Sequence, residues 1–259
     1  MKLGDTTVFI SGGASGLGEA TARHFVATGA TVGLLDRDAE RGQTTAADIG
    51  AVFAQCDVAD DHSIDAAFEH LSATLGAPRA VVACAGIGSG KRMIGRSGPH
   101  DSATFRKVVE VNLIGTFNLF RLAAAAMAEL EPLDPDGERG VLVGTASIAA
   151  FDGVDGGVAY SASKGGVAAM MLPLARDLAG RGIRAVAIAP GSFDTPMVAG
   201  MPPEFGQRLS GQTPFPARFG RPPEFAALAA HIVENSMLNG TTIRIDGGLR
   251  MMPSEGWKR

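Results

Sequence analysis

Thr6-Thr-Val-Phe-Ile-Ser-Gly-Gly-Ala-Ser-Gly-Leu-Gly18 runs into Glu19-Ala-Thr-Ala-Arg-His-Phe-Val-Ala-Thr28. The first six residues read as a buried parallel strand, and Glu19 to Thr28 as a helix. Strand, glycine turn and helix in that order form a phosphate-binding unit. Gly12 permits the tight turn, Gly16 lets backbone amides approach a pyrophosphate, and Gly18 lets the helix pack closely on the strand. Unpaired N–H groups and the dipole at the helix N-terminus favour the phosphates.

Further units of the same kind follow. Strands are expected at Thr31–Leu35, Val52–Gln55, Arg79–Ala83, Val141–Val143, Arg184–Ala189 and Thr241–Ile245. Helices are expected at Ser63–Leu75, from Ser102 through Asn112 to Met127, and at Pro223–Glu234. Repeated strand–helix units predict a doubly wound parallel sheet with helices on both faces. Ser192 to Phe219, with five prolines, reads as a long loop over the site. No boundary, repeat or low-complexity tract divides the chain, so residues 1–259 are expected to form one domain.

Composition limits the classes open to it. Of 259 residues, 46% are hydrophobic and 19% charged, enough for a large core. A net charge of −4 offers no footprint for nucleic acid or an anionic membrane. No unbroken apolar run reaches the ~20 residues of a span, and the N-terminus leads into a strand without a targeting segment. Cys56 and Cys84 would lie on opposite sides of the first strand, too far apart to bridge, and no Cys/His spacing fits a metal. A reducing, cytoplasmic setting is expected.

The chemistry points to Val158-Ala-Tyr-Ser-Ala-Ser-Lys-Gly-Gly166. It carries the only tyrosine, Tyr160, with Lys164 four places on, before a stretch of helical apolar spacing from Gly165 to Ala179. On a helix such a pair shares one face. A nearby cation favours the phenolate, fitting Tyr160 for acid/base work on an alcohol or ketone. Ser147 closes the fifth strand, where such sheets open into their ligand crevice. Asp36 ends the second strand, where an acid takes the ribose hydroxyls of NAD and repels a 2′-phosphate; Arg37 keeps NADP open. Asp57 is placed to meet the adenine.

Together, Gly12-x3-Gly16-x-Gly18, Asp57, Asn112, Ser147, Tyr160 and Lys164 resemble the short-chain dehydrogenase/reductase family over nearly the whole chain. The resemblance implies a single-domain, seven-stranded Rossmann fold of α/β class. It also implies a Ser147–Tyr160–Lys164 catalytic group, with Asn112 holding a water-linked proton relay. NAD would bind along Gly12, Ser15, Gly16, Leu17, Gly18, Asp36, Asp57, Val58, Ala85, Gly86, Tyr160, Lys164, Pro190, Gly191 and Thr195. One branch is more similar than the rest, the type-2 3-hydroxyacyl-CoA dehydrogenases. It matches at Val111–Asn118, Leu172–Leu178, Thr213–Gly220 and Leu238–Gly240. That branch implies a small-molecule acyl-CoA substrate and a homotetramer. A hydroxysteroid, carrier-protein or sugar alcohol is the alternative, as is a nucleotide-binding scaffold without turnover. Ala83 stands where the family carries Asn. Lys91, Arg92 and Arg96, in the loop Gly88–Asp101, are candidates for meeting the phosphates of CoA.

Overall fold

A computed structural model describes residues 1–96, 98–199 and 211–252. Residues 200–210 of the proline-rich segment lie outside the described residues. Seven parallel strands form one sheet: β1 (Thr7–Ser11), β2 (Thr31–Asp36), β3 (Val52–Gln55), β4 (Ala80–Ala83), β5 (Gly140–Thr145), β6 (Ile183–Pro190) and β7 (Thr241–Ile245). Their spatial order is β3-β2-β1-β4-β5-β6-β7. The order reverses between β1 and β4, which opens a crevice at their carboxyl ends. In-register pairs such as Ser11 with Ala83 and Thr145 with Ile188 bring the site-bearing ends level.

The strands are apolar throughout because helices cover both faces. β5 and β6 are buried at every position. Helices α1 (Gly16–Ala27), α2 (Ala39–Ile49) and α3 (Asp61–Leu75) connect the first four strands. Next come α4 (Ser102–Val109), α5 (Gly115–Ala128), α6 (Val158–Asp177) and α7 (Pro222–Glu234). One core lies under α3, α5 and α6, built on Phe9, Leu71, Phe120 and Met171. The other lies under α1 and α7, built on Ile10, Phe25, Val143 and Phe225.

Three features depart from the sequence expectation: helix α2, a pairing in the loop after Gly88 and the apolar length of one helical run. Helix α2 was not anticipated. The tyrosine-bearing helix runs from Val158 and carries Tyr160 and Lys164 within it, as expected. The loop after Gly88 contains a small antiparallel pairing of Ile94–Gly95 with Gly98–Pro99. Finally, Ser102–Ala128 is one continuous helical run of 27 residues, long and apolar enough by composition to cross a membrane. Here half of its apolar window is buried against the protein, and Leu119, Phe120, Ala123 and Met127 belong to the core. Cys56 and Cys84 are both free thiols, as their strand positions predict.

Candidate active site

The glycine turn is shaped by contact. A Cβ on Gly18 would lie 2.1 Å from the Gly12 carbonyl oxygen, so helix α1 closes on the strand end only because that atom is missing. Gly16 sits at φ +57, a conformation costly to other residues. Thr195 lies over it, its Cβ 3.5 Å from where a Gly16 Cβ would stand. Ser15 precedes α1 in extended conformation and makes no side-chain cap bond, leaving the first helical amides without a side-chain partner. Leu17 packs on the core beneath.

Asp36 braces this turn directly. Its Oδ2 accepts from the Ala14 amide at 3.0 Å and its Oδ1 from the Asp38 amide at 3.1 Å. A carboxylate offers about four lone-pair sites, so acceptor capacity remains for two hydroxyls. Asp57 accepts from the Ala59 amide at 3.0 Å. Val58 is buried against Gly115, and so it contributes packing and backbone. Ala85 and Gly86 leave β4 beside Gly12 and Lys164 respectively. Pro190 ends β6, and Gly191 packs against Asp246.

Across the crevice stand Ser147, Tyr160 and Lys164. Ser147 begins a short turn after β5, and its Oγ accepts from the Ala149 amide at 3.1 Å. It lies close enough to the Tyr160 phenol to oppose the rise of the phenol's pKa. Lys164 is 4% exposed. Its Nζ donates to the Thr145 carbonyl at 2.7 Å and lies 5.8 Å from the centroid of the Tyr160 ring. Burial lowers its pKa to about 8. Burial raises the Tyr160 phenol above its ordinary value, and the Ser147 hydroxyl opposes that rise. The expectation of a lowered phenol is therefore corrected for the protein's own groups: the ammonium turns toward a backbone carbonyl, and desolvation dominates. Cys84 is near by, raised to about 11 by burial. At that value it is a thiol, not a nucleophile.

Asn112 is fully buried, in a π-helical turn, Glu110–Ile114, between α4 and α5. Such turns recur at functional sites. Its Oδ1 accepts from the Ile87 amide at 2.8 Å, while Nδ2 donates to the Ile87 carbonyl at 2.9 Å and to Ser163 Oγ at 3.0 Å. Ser163 Oγ in turn donates to the Tyr160 carbonyl at 2.8 Å. The Asn112 amide thus joins the loop at Ile87 to the tyrosine helix, while its backbone carbonyl accepts from Thr116 Oγ1 at 2.8 Å. Sequence reasoning missed Ser163, one helical turn beyond Tyr160, and Thr145, whose contribution is a carbonyl that no side-chain pattern reveals.

The loop cations are unequal. Lys91 pairs with Asp101 and donates to Thr104 Oγ1 at 3.0 Å, which pins the loop to the start of α4. That pairing holds the Asp101 carboxyl well below its usual range. Arg92 and Arg96 are exposed. In this structure Lys91 anchors the loop to the start of α4.

The chain matches the sequence model of the family described as short chain dehydrogenase over residues 6–204. It is 47% identical over 248 residues to the 3-hydroxyacyl-CoA dehydrogenase type-2 of Bos taurus, and 45% identical to that of Homo sapiens. Each match covers 94% of this chain and 95% of the relative. The crystal structure of 3-hydroxyacyl-CoA dehydrogenase type-2 from Mycobacterium avium matches with a TM-score of 0.89 and 41% identity, over 95% of this chain and 96% of that one. A 3-ketoacyl-(acyl-carrier-protein) reductase from Brucella melitensis, solved in complex with NADH, matches with a TM-score of 0.85 and 26% identity, over 95% and 98%.

Proposed function

The chain belongs to the short chain dehydrogenase family, and from that membership we propose that it is an NAD-dependent enzyme interconverting 3-hydroxyacyl-CoA and 3-oxoacyl-CoA. The observation that carries the reaction is the convergence of Ser147, Tyr160 and Lys164 on the crevice facing the glycine turn. The type-2 relatives at 45–47% identity support the substrate class. Choice of NAD rests on Asp36, which sets a carboxylate at the ribose position and disfavours a 2′-phosphate.

The residues fit that cofactor: the α1 amides have no side-chain cap, and Gly12, Gly16 and Gly18 give a backbone cradle. A bound nicotinamide ring supplies the hydride acceptor or donor. The protein supplies position and proton transfer. Ser147 holds the substrate oxygen. Tyr160 accepts the hydroxyl proton during oxidation and returns it during reduction. Lys164, a buried cation held by the Thr145 carbonyl, stabilises the phenolate as it forms.

We also propose a homotetramer in the cytoplasm. Phe105, Ile114 and Phe117 on the α4–α5 run and Leu172 on α6 are 37–47% exposed apolar groups that a subunit contact would cover. Two unpaired cysteines suit a reducing compartment. Light scattering at micromolar concentration and cell fractionation test these two points. The function is tested by turnover of acyl-CoA, steroid, sugar and simple ketones with NADH and NADPH in parallel. Preference for 3-oxoacyl-CoA with NADH is expected; equal use of all ketones would overturn the substrate, and tight NADH binding without any turnover would overturn the enzyme.

A further inference from the structure

The turn that follows Ser147 is fastened from the far edge of the sheet. Within the turn, Ser147 Oγ accepts from Ala149, the Ala150 amide donates to the Ser147 carbonyl at 3.0 Å, and the Asp152 amide donates to the Ile148 carbonyl at 2.9 Å. The orientation of the Ser147 hydroxyl is thus a property of the whole turn. At its end, the Asp152 carboxylate receives a two-pronged grip from Arg244 of β7: Nη1 to Oδ1 at 2.7 Å and Nη2 to Oδ2 at 2.8 Å.

Arg244 holds more than this turn. Its Nε donates to Asp246 Oδ2 at 2.7 Å, and Nη2 also reaches the Leu249 carbonyl at 3.1 Å. The Met251 amide donates to Asp152 Oδ2 at 3.3 Å. The guanidinium carbon lies 5.8 Å from the Phe151 ring centroid. One side chain therefore joins the Ser147 turn, the end of β7 and the segment through Met251. The pair is largely shielded, with side-chain exposures of 23% and 11%, so it is stronger than a surface ion pair. Farther along the same loop, Gly156 packs on the backbone of Gly90 to Arg92, so the fastening extends to the hairpin loop.

We propose that Arg244 is a positioning residue for the reaction, acting through Asp152 to hold the Ser147 turn, and so the Ser147 hydroxyl, at the angle that turnover requires. The proposal rests on Ser147 being the group that holds the substrate oxygen. The requirement is for a planar fork, because a lysine ammonium cannot meet two carboxylates and a carbonyl from one position. None of the Arg244 contacts touches the glycine turn, Asp36 or Lys164; the one link toward the cofactor side is Asp246, which packs on Gly191, and the Asp152 variants leave that link in place. A small misplacement of a positioned group is costly to turnover.

The test compares Arg244→Lys, Arg244→Gln, Asp152→Asn and Asp152→Glu in the full chain, with Ser147→Ala beside them. Active sites are counted by NADH fluorescence titration, and kcat per site is measured on the fastest substrate of the panel above. Both Arg244 variants and Asp152→Asn are expected to lose about tenfold or more in kcat per site. In the Asp152 variants NADH affinity is expected to stay within about twofold, and Asp152→Glu to keep most of the parent rate. A fastening role alone would lower the count of folded sites and leave kcat per site at the parent value; that result overturns the proposal. Where the Arg244 variants do not fold, the near-isosteric Asp152→Asn decides, and parent kcat in it overturns the proposal equally. Parent activity in Ser147→Ala would overturn the reading of Ser147 and the clamp together. An inactive Ser147→Ala with unaffected clamp variants overturns the clamp alone.

Discussion

Lys164 Nζ is bonded to the carbonyl oxygen of Thr145 at 2.7 Å, buried beneath the tyrosine whose chemistry it serves. Because burial brings its pKa from 10.5 to about 8, the folded protein releases a proton that the unfolded chain keeps between those values. The unfolded state then binds more protons, so this group makes stability rise with pH between about 8 and 10.5 and contributes no slope below that window. Lys164→Met removes the contribution. The stability difference between parent and variant should move in the parent's favour by roughly 3 kcal/mol across the window. Denaturant midpoints measured from pH 7 to 10.5 check this, and parallel curves would contradict it.

Gly18 and Gly16 should respond differently to alanine. At Gly18 the new Cβ meets a backbone oxygen at 2.1 Å, which no rotamer relieves. Gly18→Ala should cost at least the ~3 kcal/mol upper end of ordinary overpacking and abolish NADH binding. At Gly16 the nearest atom is 3.5 Å away and only the left-handed backbone is strained. Gly16→Ala should fold with a loss of roughly 1–2 kcal/mol. Thermal melts and NADH titration separate the two, and equal losses would contradict the geometry.

These glycines also show how far the sequence could be read. The glycine turn, the seven strands and the Tyr160–Lys164 pair were legible because each rests on local spacing or an unbroken apolar run. Helix α2 was not, because its buried residues are Gly42, Thr45 and Ala46, which give no apolar stripe. Phe53 of β3 instead fills the space over Gly42, where a Cβ would come within 2.1 Å of the ring. The grip of Arg244 on Asp152 spans 92 positions, and no motif spacing announces a contact of that separation. The direction of the phenol shift was misjudged because residue spacing shows neighbours but not desolvation.

Asp36 should set cofactor choice. Asp36→Ala removes both the carboxylate facing the ribose and the acceptor for the Ala14 amide. Loss of about tenfold or more in NADH affinity is expected, a typical cost of removing hydrogen bonds to a charged group. NADPH should be affected less or improved. Steady-state kinetics with both cofactors check this, and a parent enzyme equally efficient with each would contradict the assignment.

Arg92→Ala with Arg96→Ala should raise KM for 3-oxoacyl-CoA severalfold and leave kcat in place, as expected for contacts made equally in ground and transition states. The effect should shrink at high salt. Lys91→Ala should instead loosen the loop, because its partner is Asp101. A double variant that treats CoA and uncharged ketones alike would remove the loop from CoA binding.

The pH dependence of turnover follows from the proton's direction. Oxidation needs the Tyr160 phenolate and should rise with pH, while reduction needs the phenol and should fall. Cys84 stays a thiol below about 11. A shared optimum for both directions would contradict a single acid/base group.

The most direct measurement is turnover of 3-hydroxyacyl-CoA and 3-oxoacyl-CoA by Tyr160→Phe, beside its NADH affinity. The variant keeps the ring and loses only the hydroxyl that relays the proton. At least the ~10²–10⁴-fold contribution of general acid/base catalysis should disappear, with NADH affinity within about twofold of the parent. Activity within a few-fold of the parent enzyme would contradict the account.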